Sequence, residues 1–570
     1  MEITVHGKNL KVTADLRGDT YALLTAIPGR KKWEGRVLFA NPSSANVEFL
    51  SETFPDAFWD SAAQEIRDAY SKKSAEAAEN SAAKREGINL LSLTDDFVYK
   101  TEPRIHQRRV FLLSRDKVVW GLLDEQGCGK TKVALDSAAY LFRKHKIDAL
   151  VVVAPNGVHR NWVDNEIPAH LPLGPKEYIA RYYSSSLSEK KFKELAEELT
   201  KWPKDKLLIA TFNVDGFTSE RAQDFIHFLV KSRKTMMVVD ESHWIKGSKA
   251  KRTRFLWKVG SHALYRRIMS GTPIEKGPED YYSQFRFLDP NIIGHDTLTG
   301  FRNEFCIMGG FERKQVVGFK NVEKLIKKVD GYSSRNLKKD CLDLPEKVYK
   351  RYPFELTPAQ RKLYDELNRE FFTMLGDREL TADLAVTRLM RLQQIACNWF
   401  PGDDDKGRLT PISERNPRLE ALLENLEVAS GKVIIWSRFR ADLMMLRERL
   451  GAKAVAYYGG ISDDMRAEAV DRFQNDKRIQ WFIGNPSTAG TGLTLTAASE
   501  EIFYSNDYSL LKRLQAEDRA HRIGMQDHLT ITDLEAIKTN DRKIITSLQK
   551  KKSIADIINQ DPKSFFMESQ

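Results

Sequence analysis

The sequence predicts an α/β fold: two tandem parallel-sheet lobes with helical insertions, preceded by a small α+β domain. Three observations carry this. The 570 residues, 41% of them hydrophobic, are too many for one core. Short apolar segments alternate with amphipathic helical ones in two separate blocks, the pattern of parallel strands covered by helices. A first stretch instead alternates residue by residue, as half-buried strands do.

In chain order, residues 1–60 form the small α+β unit, with strands at Glu2–Val5 and Asn9–Thr13, an apolar helix near Tyr21–Ile27 and a strand at Arg36–Ala40. A basic turn, Pro28 to Trp33, brings Arg30, Lys31 and Lys32 beside one aromatic. Such a group suits a phosphate backbone with Trp33 stacked on a base, and equally suits a solvated hairpin tip. Residues 61–94 begin Ala-, Glu- and Lys-rich, the composition of an exposed linking helix. Residues 95–290 hold the first block of strands, at Val118–Leu123, Ala149–Ala154, Lys206–Ala210 and Met236–Val239. Residues 291–415 read as helical insertions and a connector, and residues 416–570 as the second block, with strands at Lys432–Trp436 and Ile479–Ile483.

Composition narrows the class of function. Lys and Arg number 90 against 79 Asp and Glu, a formal charge of +11, which favours a polyanionic partner without naming it. The four cysteines, Cys128, Cys306, Cys341 and Cys397, include no CxxC pair, so neither a zinc knuckle nor a disulfide framework is expected. No apolar run approaches the roughly 20 residues a bilayer requires, and the start lacks the regions of a signal peptide. A soluble protein of the cytoplasm, or of the nucleus in a eukaryote, with no membrane partner, is the expectation.

The chemistry concentrates after the first strand. Val118–Leu123 runs into Asp124-Glu125-Gln126-Gly127-Cys128-Gly129-Lys130-Thr131, and an apolar helix follows at once. Strand, glycine loop and helix are the context of a phosphate loop: Gly127 and Gly129 let N–H groups converge on phosphates, Lys130 supplies a point charge, and the Thr131 hydroxyl suits Mg²⁺. Asp124 occupies the position where the generic pattern has glycine. A later strand ends in Asp240-Glu241-Ser242-His243, where carboxylates face a ligand crevice. Asp240 there suits a metal and Glu241 a general base for the attacking water, although an isolated acidic pair is more often a helix cap.

These strings resemble the DExH box and phosphate loop of superfamily-two helicases, and specifically of the Swi/Snf-related DNA translocases, including the leading Asp124. The resemblance implies RecA-like lobes and an ordered set of further roles. Gln107 matches the glutamine that reads adenine. Val151 to Pro155 with Asn161, Trp162 and Glu166 resembles a segment lying against the DNA backbone, and Thr211 falls where another strand contact sits. Ser270-Gly271-Thr272-Pro273 resembles the motif thought to couple hydrolysis to grip. In the second block, Val433 to Phe439, with Ser437, and Tyr458 to Ser462, with Gly459, resemble backbone-gripping elements. Ser487 to Leu493 resembles a loop whose Thr488, Gly490 and Gly492 approach phosphates. Gln515 to Gly524 resembles the arginine motif, with Arg522 as the finger and Arg519 assisting from the same helix face three residues away. Taken alone, that last string would be a surface ion-pair helix.

Arg335 to Pro345, Leu356 to Tyr364 and Leu389 to Asn398 resemble the same family's linker and helical protrusions, and Leu23 to Arg30 with Trp33 resembles the accessory domain of annealing helicases. Departures include Ser242 where the family has alanine, Asn156-Gly157, and Thr491 in place of a hydrophobe. The resemblance implies a DNA-dependent ATPase, using ATP and Mg²⁺, that moves as a monomer along double-stranded or branched DNA and remodels forks or junctions. Lys130, Asp240, Glu241, Arg519 and Arg522 would be catalytic. Two alternatives stand beside it: a DNA-binding scaffold switched by nucleotide without turnover, and a helicase that separates strands of DNA or RNA.

Overall fold

The computed structural model describes residues 1–29, 31–85, 96–183, 187–214, 217, 219–274, 277–309, 312, 315–377, 382–401, 409–489, 493–507, 509–522, 525, 528–546 and 548. Two compact units emerge, one running from Met1 to Cys341 and the other beginning at Leu342.

In the first unit, the N-terminal residues form a five-stranded sheet in the order Lys31–Glu34, Val37–Ala40, Asn9–Thr13, Glu2–His6, Phe58–Trp59. All pairs are antiparallel except the last. Ile3, Leu10, Val12 and Leu38 alternate onto one face and close a small core with Leu24, Val47 and Leu50. The second half of the basic segment expected as a turn is strand: Lys31–Glu34 pairs with Val37–Ala40, and the reversal falls at Gly35, whose φ of 61° suits glycine.

The helix Ser61–Arg85 spans the length its composition predicts. It is docked as well as exposed. Asn80 donates to Gly331 O at 2.9 Å, Lys84 pairs with Asp330 at 2.6 Å and Lys73 with Asp289 at 2.7 Å. A Cβ on Gly331 would come within 2.6 Å of the Ala77 Cβ, so two small residues permit the approach.

The large sheet of this unit is wholly parallel, in the order Ser333–Ser334, Val119–Leu122, Tyr265–Met269, Thr235–Val239, Ala149–Ala154, Leu207–Asn213, Tyr178–Tyr183. Its central strands are buried throughout, and two hydrophobic clusters cover its faces. The second unit carries a six-stranded parallel sheet: Lys347–Phe354, Leu529–Ala536, Ala498–Phe503, Lys432–Trp436, Trp481–Gly484, Ala454–Tyr457.

Both sheets take an edge strand from the stretch read as insertions and connector, Ser333–Ser334 in one and Lys347–Phe354 in the other. The second of these, KVYKRYPF, is mostly exposed, so it lacks the apolar run that marks a central strand. Among the described residues all four cysteines are free and no helix is long and apolar enough to cross a membrane.

Candidate nucleotide and nucleic-acid sites

The phosphate loop leaves Val119–Leu122 and ends on the helix Lys130–Arg143, whose N-cap is Gly129 at φ 82°. That glycine is required twice over: the backbone is left-handed, and a Cβ would collide with Gln107 Nε2. Gln107 donates to Cys128 O at 3.2 Å and accepts from Arg104 N at 3.0 Å, so the residue matched to adenine recognition also braces the loop. His106 Nε2 meets the same carbonyl at 2.9 Å. Burial pushes the Cys128 thiol up to about 12, which keeps it inert. Lys130 lies over the loop, donating to Asp124 O at 2.8 Å and Glu125 O at 3.2 Å. Gly127 at φ 84° and half-buried Thr131 complete the cradle at the helix N-terminus, where anions are favoured.

Asp124 has a structural task. It is 3% exposed, and its carboxylate accepts from Asn336 N at 2.8 Å, Asn336 Nδ2 at 2.5 Å and Ser334 Oγ at 3.1 Å. Glu125 Oε2 accepts from Lys338 N at 2.8 Å, and Arg335 donates to Leu123 O and, at 2.9 Å, to Gly271 O. The segment leaving this unit is thereby tied to the base of the phosphate loop. Gly271 lies so close to the loop that a Cβ would approach Gln126 N within 2.9 Å.

The acidic pair follows Thr235–Val239. Asp240 is 8% exposed; its Oδ1 accepts from Glu241 N at 2.8 Å and its Oδ2 from Trp162 Nε1 at 2.9 Å. Burial, then the adjoining Glu241, raises the Asp240 carboxyl above its usual range. Such an excess of buried negative charge fits a divalent cation, and each carboxylate oxygen retains a lone pair for one. Glu241 has φ 47° and ψ 53°, and His243 Nδ1 lies 3.3 Å from both Glu241 Oε2 and Ser270 Oγ.

Several residues matched to DNA contact have other work. Trp162 is 1% exposed and holds Asp240; Thr211 is fully buried and donates to His159 O at 2.7 Å. Ser437, also fully buried, donates to Asp442 Oδ2 at 2.7 Å. Side chains so enclosed cannot reach a polyanion; they set the loops that carry their neighbours. Asn161 is partly exposed, bonding Glu166 at 3.3 Å and Asn165 at 2.8 Å. Lys31 is spent on the carbonyls of Thr25 and Ile27, and burial lowers its pKa. Lys32 is exposed beside Glu34 at 2.7 Å, and Trp33 lies 5.3 Å from Tyr21 between ring centroids. Arg30, Gly490 and Gly492 lie outside the described residues.

In the second unit, exposed Gly459 and half-buried Thr488 adjoin: a Cβ on the glycine would stand 3.9 Å from Thr488 Oγ1. Two residues that motif reasoning passed over belong to this surface. Asn485 joins the two loops by donating to Ser437 O at 3.1 Å and Arg438 O at 2.8 Å, and exposed Arg440 reaches within 3.4 Å of where a Gly460 Cβ would be. An Asn just past a strand end was the available signal.

The arginine motif departs from expectation. Its helix, Leu510–Glu517, stops before either arginine. Arg519 N turns to Ala516 O at 2.9 Å, while Arg519 Nε takes Gln515 O at 2.8 Å, the carbonyl a continuing helix would have given its own N–H. Arg519 is 2% exposed and also donates to Leu493 O at 3.1 Å, which makes it a brace between two loops. Half-buried Arg522 donates to Asp518 O at 2.9 Å and Thr494 Oγ1 at 3.1 Å. Beneath them Glu517 accepts from Arg513 at 2.8 Å, Tyr349 at 2.8 Å and Lys347 at 3.0 Å, and His521 Nε2 lies 2.8 Å from Pro345 O.

Comparison with known proteins adds the following. Residues 106–400 match the SNF2-related domain, and residues 416–524 match the helicase conserved C-terminal domain. Among curated proteins, the chain is 26% identical over 466 residues to the Caenorhabditis elegans SWI/SNF-related matrix-associated actin-dependent regulator of chromatin subfamily A-like protein 1 homolog, covering 79% of this chain and 60% of that one. It is 26% identical over 485 residues to the human DNA annealing helicase and endonuclease ZRANB3, covering 83% of this chain and 42% of that one. With the Saccharomyces cerevisiae transcription regulatory protein SNF2 the identity is 24%, over 76% of this chain and 26% of the relative. The chain therefore spans less than two thirds of the length of each. A solved Sulfolobus solfataricus SWI2/SNF2 ATPase core in complex with dsDNA aligns at a TM-score of 0.37 and 21% identity, covering 82% of this chain and 96% of that one.

Proposed function

Because the chain belongs to the SNF2-related family, we propose that it is a DNA-dependent ATPase that translocates on double-stranded DNA and remodels forks or junctions by branch migration and annealing. The observation carrying the ATPase reading is the pairing, in one unit, of the Gly127–Thr131 cradle with an acidic turn whose Asp240 is held from both sides. Lys130 and the helix N-terminus bind phosphate, Thr131 and Asp240 are the residues that would hold Mg²⁺, and Glu241 takes a proton from the attacking water. Bound Mg²⁺ would supply charge neutralisation at the phosphates. Arg522 is the second unit's candidate for stabilising transition-state charge, with Arg519 positioning the loop that carries it.

The junction-remodelling reading is supported by the annealing-helicase relatives and by the presence of a small N-terminal domain followed by the docked helix Ser61–Arg85. Gly459, Thr488 and Arg440 offer backbone N–H groups, a hydroxyl and a cation for a phosphate backbone.

The test is steady-state ATP hydrolysis without nucleic acid and then with single strands, duplex, fork, four-way junction or RNA at fixed salt. Stimulation by duplex, and more by branched DNA, is the expected result, with Lys130→Ala silent while still binding DNA. Retained hydrolysis in Lys130→Ala would reject the site. Absence of turnover under every condition would leave a nucleotide-switched scaffold.

A further inference from the structure

Ser242 stands where the motif it belongs to ordinarily has alanine, and its hydroxyl is engaged. Fully buried, it donates to Gln284 Oε1 at 2.6 Å. Gln284 sits on the helix Glu279–Leu288 and is itself fully buried. Its amide nitrogen donates to Pro273 O at 2.7 Å and to Asp280 O at 2.8 Å, so both of its N–H groups are used. One amide group thus joins the residue after Glu241 to the end of the Ser270–Pro273 loop.

This link bears on a strained place. Glu241, at φ 47° and ψ 53°, holds a left-handed conformation that a residue with a Cβ keeps only where its surroundings over-determine it. On one flank, Glu241 N donates to Asp240 Oδ1 at 2.8 Å. On the other, Ser242 is fixed by Gln284, and His243 by Ser270 Oγ, which also accepts from Thr272 N at 3.2 Å. An alanine and an aliphatic side chain would fill the same space without any demand for matched donors and acceptors, so a buried polar pair here brings a requirement that packing alone does not need.

We infer that Gln284 is a positioning residue for hydrolysis: through Ser242 and Pro273 it holds the backbone of Glu241 in its left-handed turn and makes the Ser270–Pro273 loop move with it. The inference rests on the ATPase reading above, because it assigns Gln284 a task in turnover.

The experiment uses the full chain and three variants, Ser242→Ala, Gln284→Leu and the double substitution. It measures melting temperature, KM for ATP and DNA-stimulated kcat. Each single variant strands a buried partner and melts lower, whereas the double variant, which no longer strands the Ser242 hydroxyl although the Pro273 and Asp280 carbonyls still lose a donor, recovers part of the melting temperature lost in Gln284→Leu. All three should lose about tenfold in kcat, with KM for ATP within about twofold of the wild type. A double variant with partly recovered melting temperature and wild-type kcat would overturn the inference, as would losses of kcat that merely follow melting temperature. An unmodified chain that hydrolyses no ATP would overturn the motor reading and this inference with it.

Discussion

Replacing Glu501 with glutamine should stabilise the second unit, by an amount that depends on pH. Glu501 lies fully buried on Ala498–Phe503, with Trp436 Nε1 donating to its Oε2 at 2.9 Å. Burial, and next the charge of Glu517, pushes its carboxyl up to about 8 from an ordinary 4.5, against the opposing pull of Trp436, Lys347 and Arg513. The folded-state value is raised, so stability is fully present below the unfolded value of 4.5 and is lost as pH climbs through about 8. Over that window the unfolded chain ionises and the folded one does not, at about 1.4 kcal/mol per pH unit, or about 3 kcal/mol by neutral pH.

Glutamine does not titrate and retains an oxygen for Trp436. In a unit of this size, about 3 kcal/mol corresponds to roughly 6–10 °C in Tm. Differential scanning calorimetry of wild type and Glu501→Gln should therefore show a gain of that order near pH 7 that shrinks toward zero as pH falls to about 4.5. A gain independent of pH, or a loss near pH 8, would mean that Glu501 is ionised and paired in the folded protein, and would refute the reasoning.

Trp162→Phe keeps the buried ring but removes the donor to Asp240 Oδ2; it should cost about tenfold in ATPase activity and raise the Mg²⁺ requirement, read from a Mg²⁺ titration of hydrolysis. Gly129→Ala places a Cβ against Gln107 in left-handed backbone; it should cost about 1–2 kcal/mol of stability and weaken nucleotide binding, measured by fluorescent-nucleotide titration alongside melting. Ser437→Ala removes a buried bond to Asp442, whose carboxyl burial pushes up to about 6. It should lower stability by about 1–2 kcal/mol while leaving DNA affinity within about twofold, since the hydroxyl faces the core; a large loss of DNA binding at unchanged stability would return Ser437 to the DNA surface.

The candidate phosphate cradle was legible as a strand, glycine turn and helix because its parts are local. A strand, two left-handed glycines, a lysine and a hydroxyl lie within one short run, and each residue type has one physical reason to be there. The braces were not. Trp162 and Asp240 are distant in sequence, as are Asp124 and Asn336, or Ser242 and Gln284, and a tryptophan or glutamine alone carries no sign of its partner. Motif resemblance singled out Trp162, Thr211 and Ser437 yet said nothing of which way their side chains turn, and all three are buried.

By itself the sequence determined the two parallel-sheet blocks, the N-terminal α+β unit, the phosphate loop and the acidic turn, since each is written in periodicity or in contiguous residues. Tertiary structure alone decided the edge strands, Ser333–Ser334 and Lys347–Phe354, because a two-residue polar strand and a mostly exposed one carry no apolar run and are specified by the neighbour they pair with. It also decided that the helix Leu510–Glu517 ends before its arginines, because the Arg519 side chain claims the carbonyl of Gln515 that a longer helix would have used.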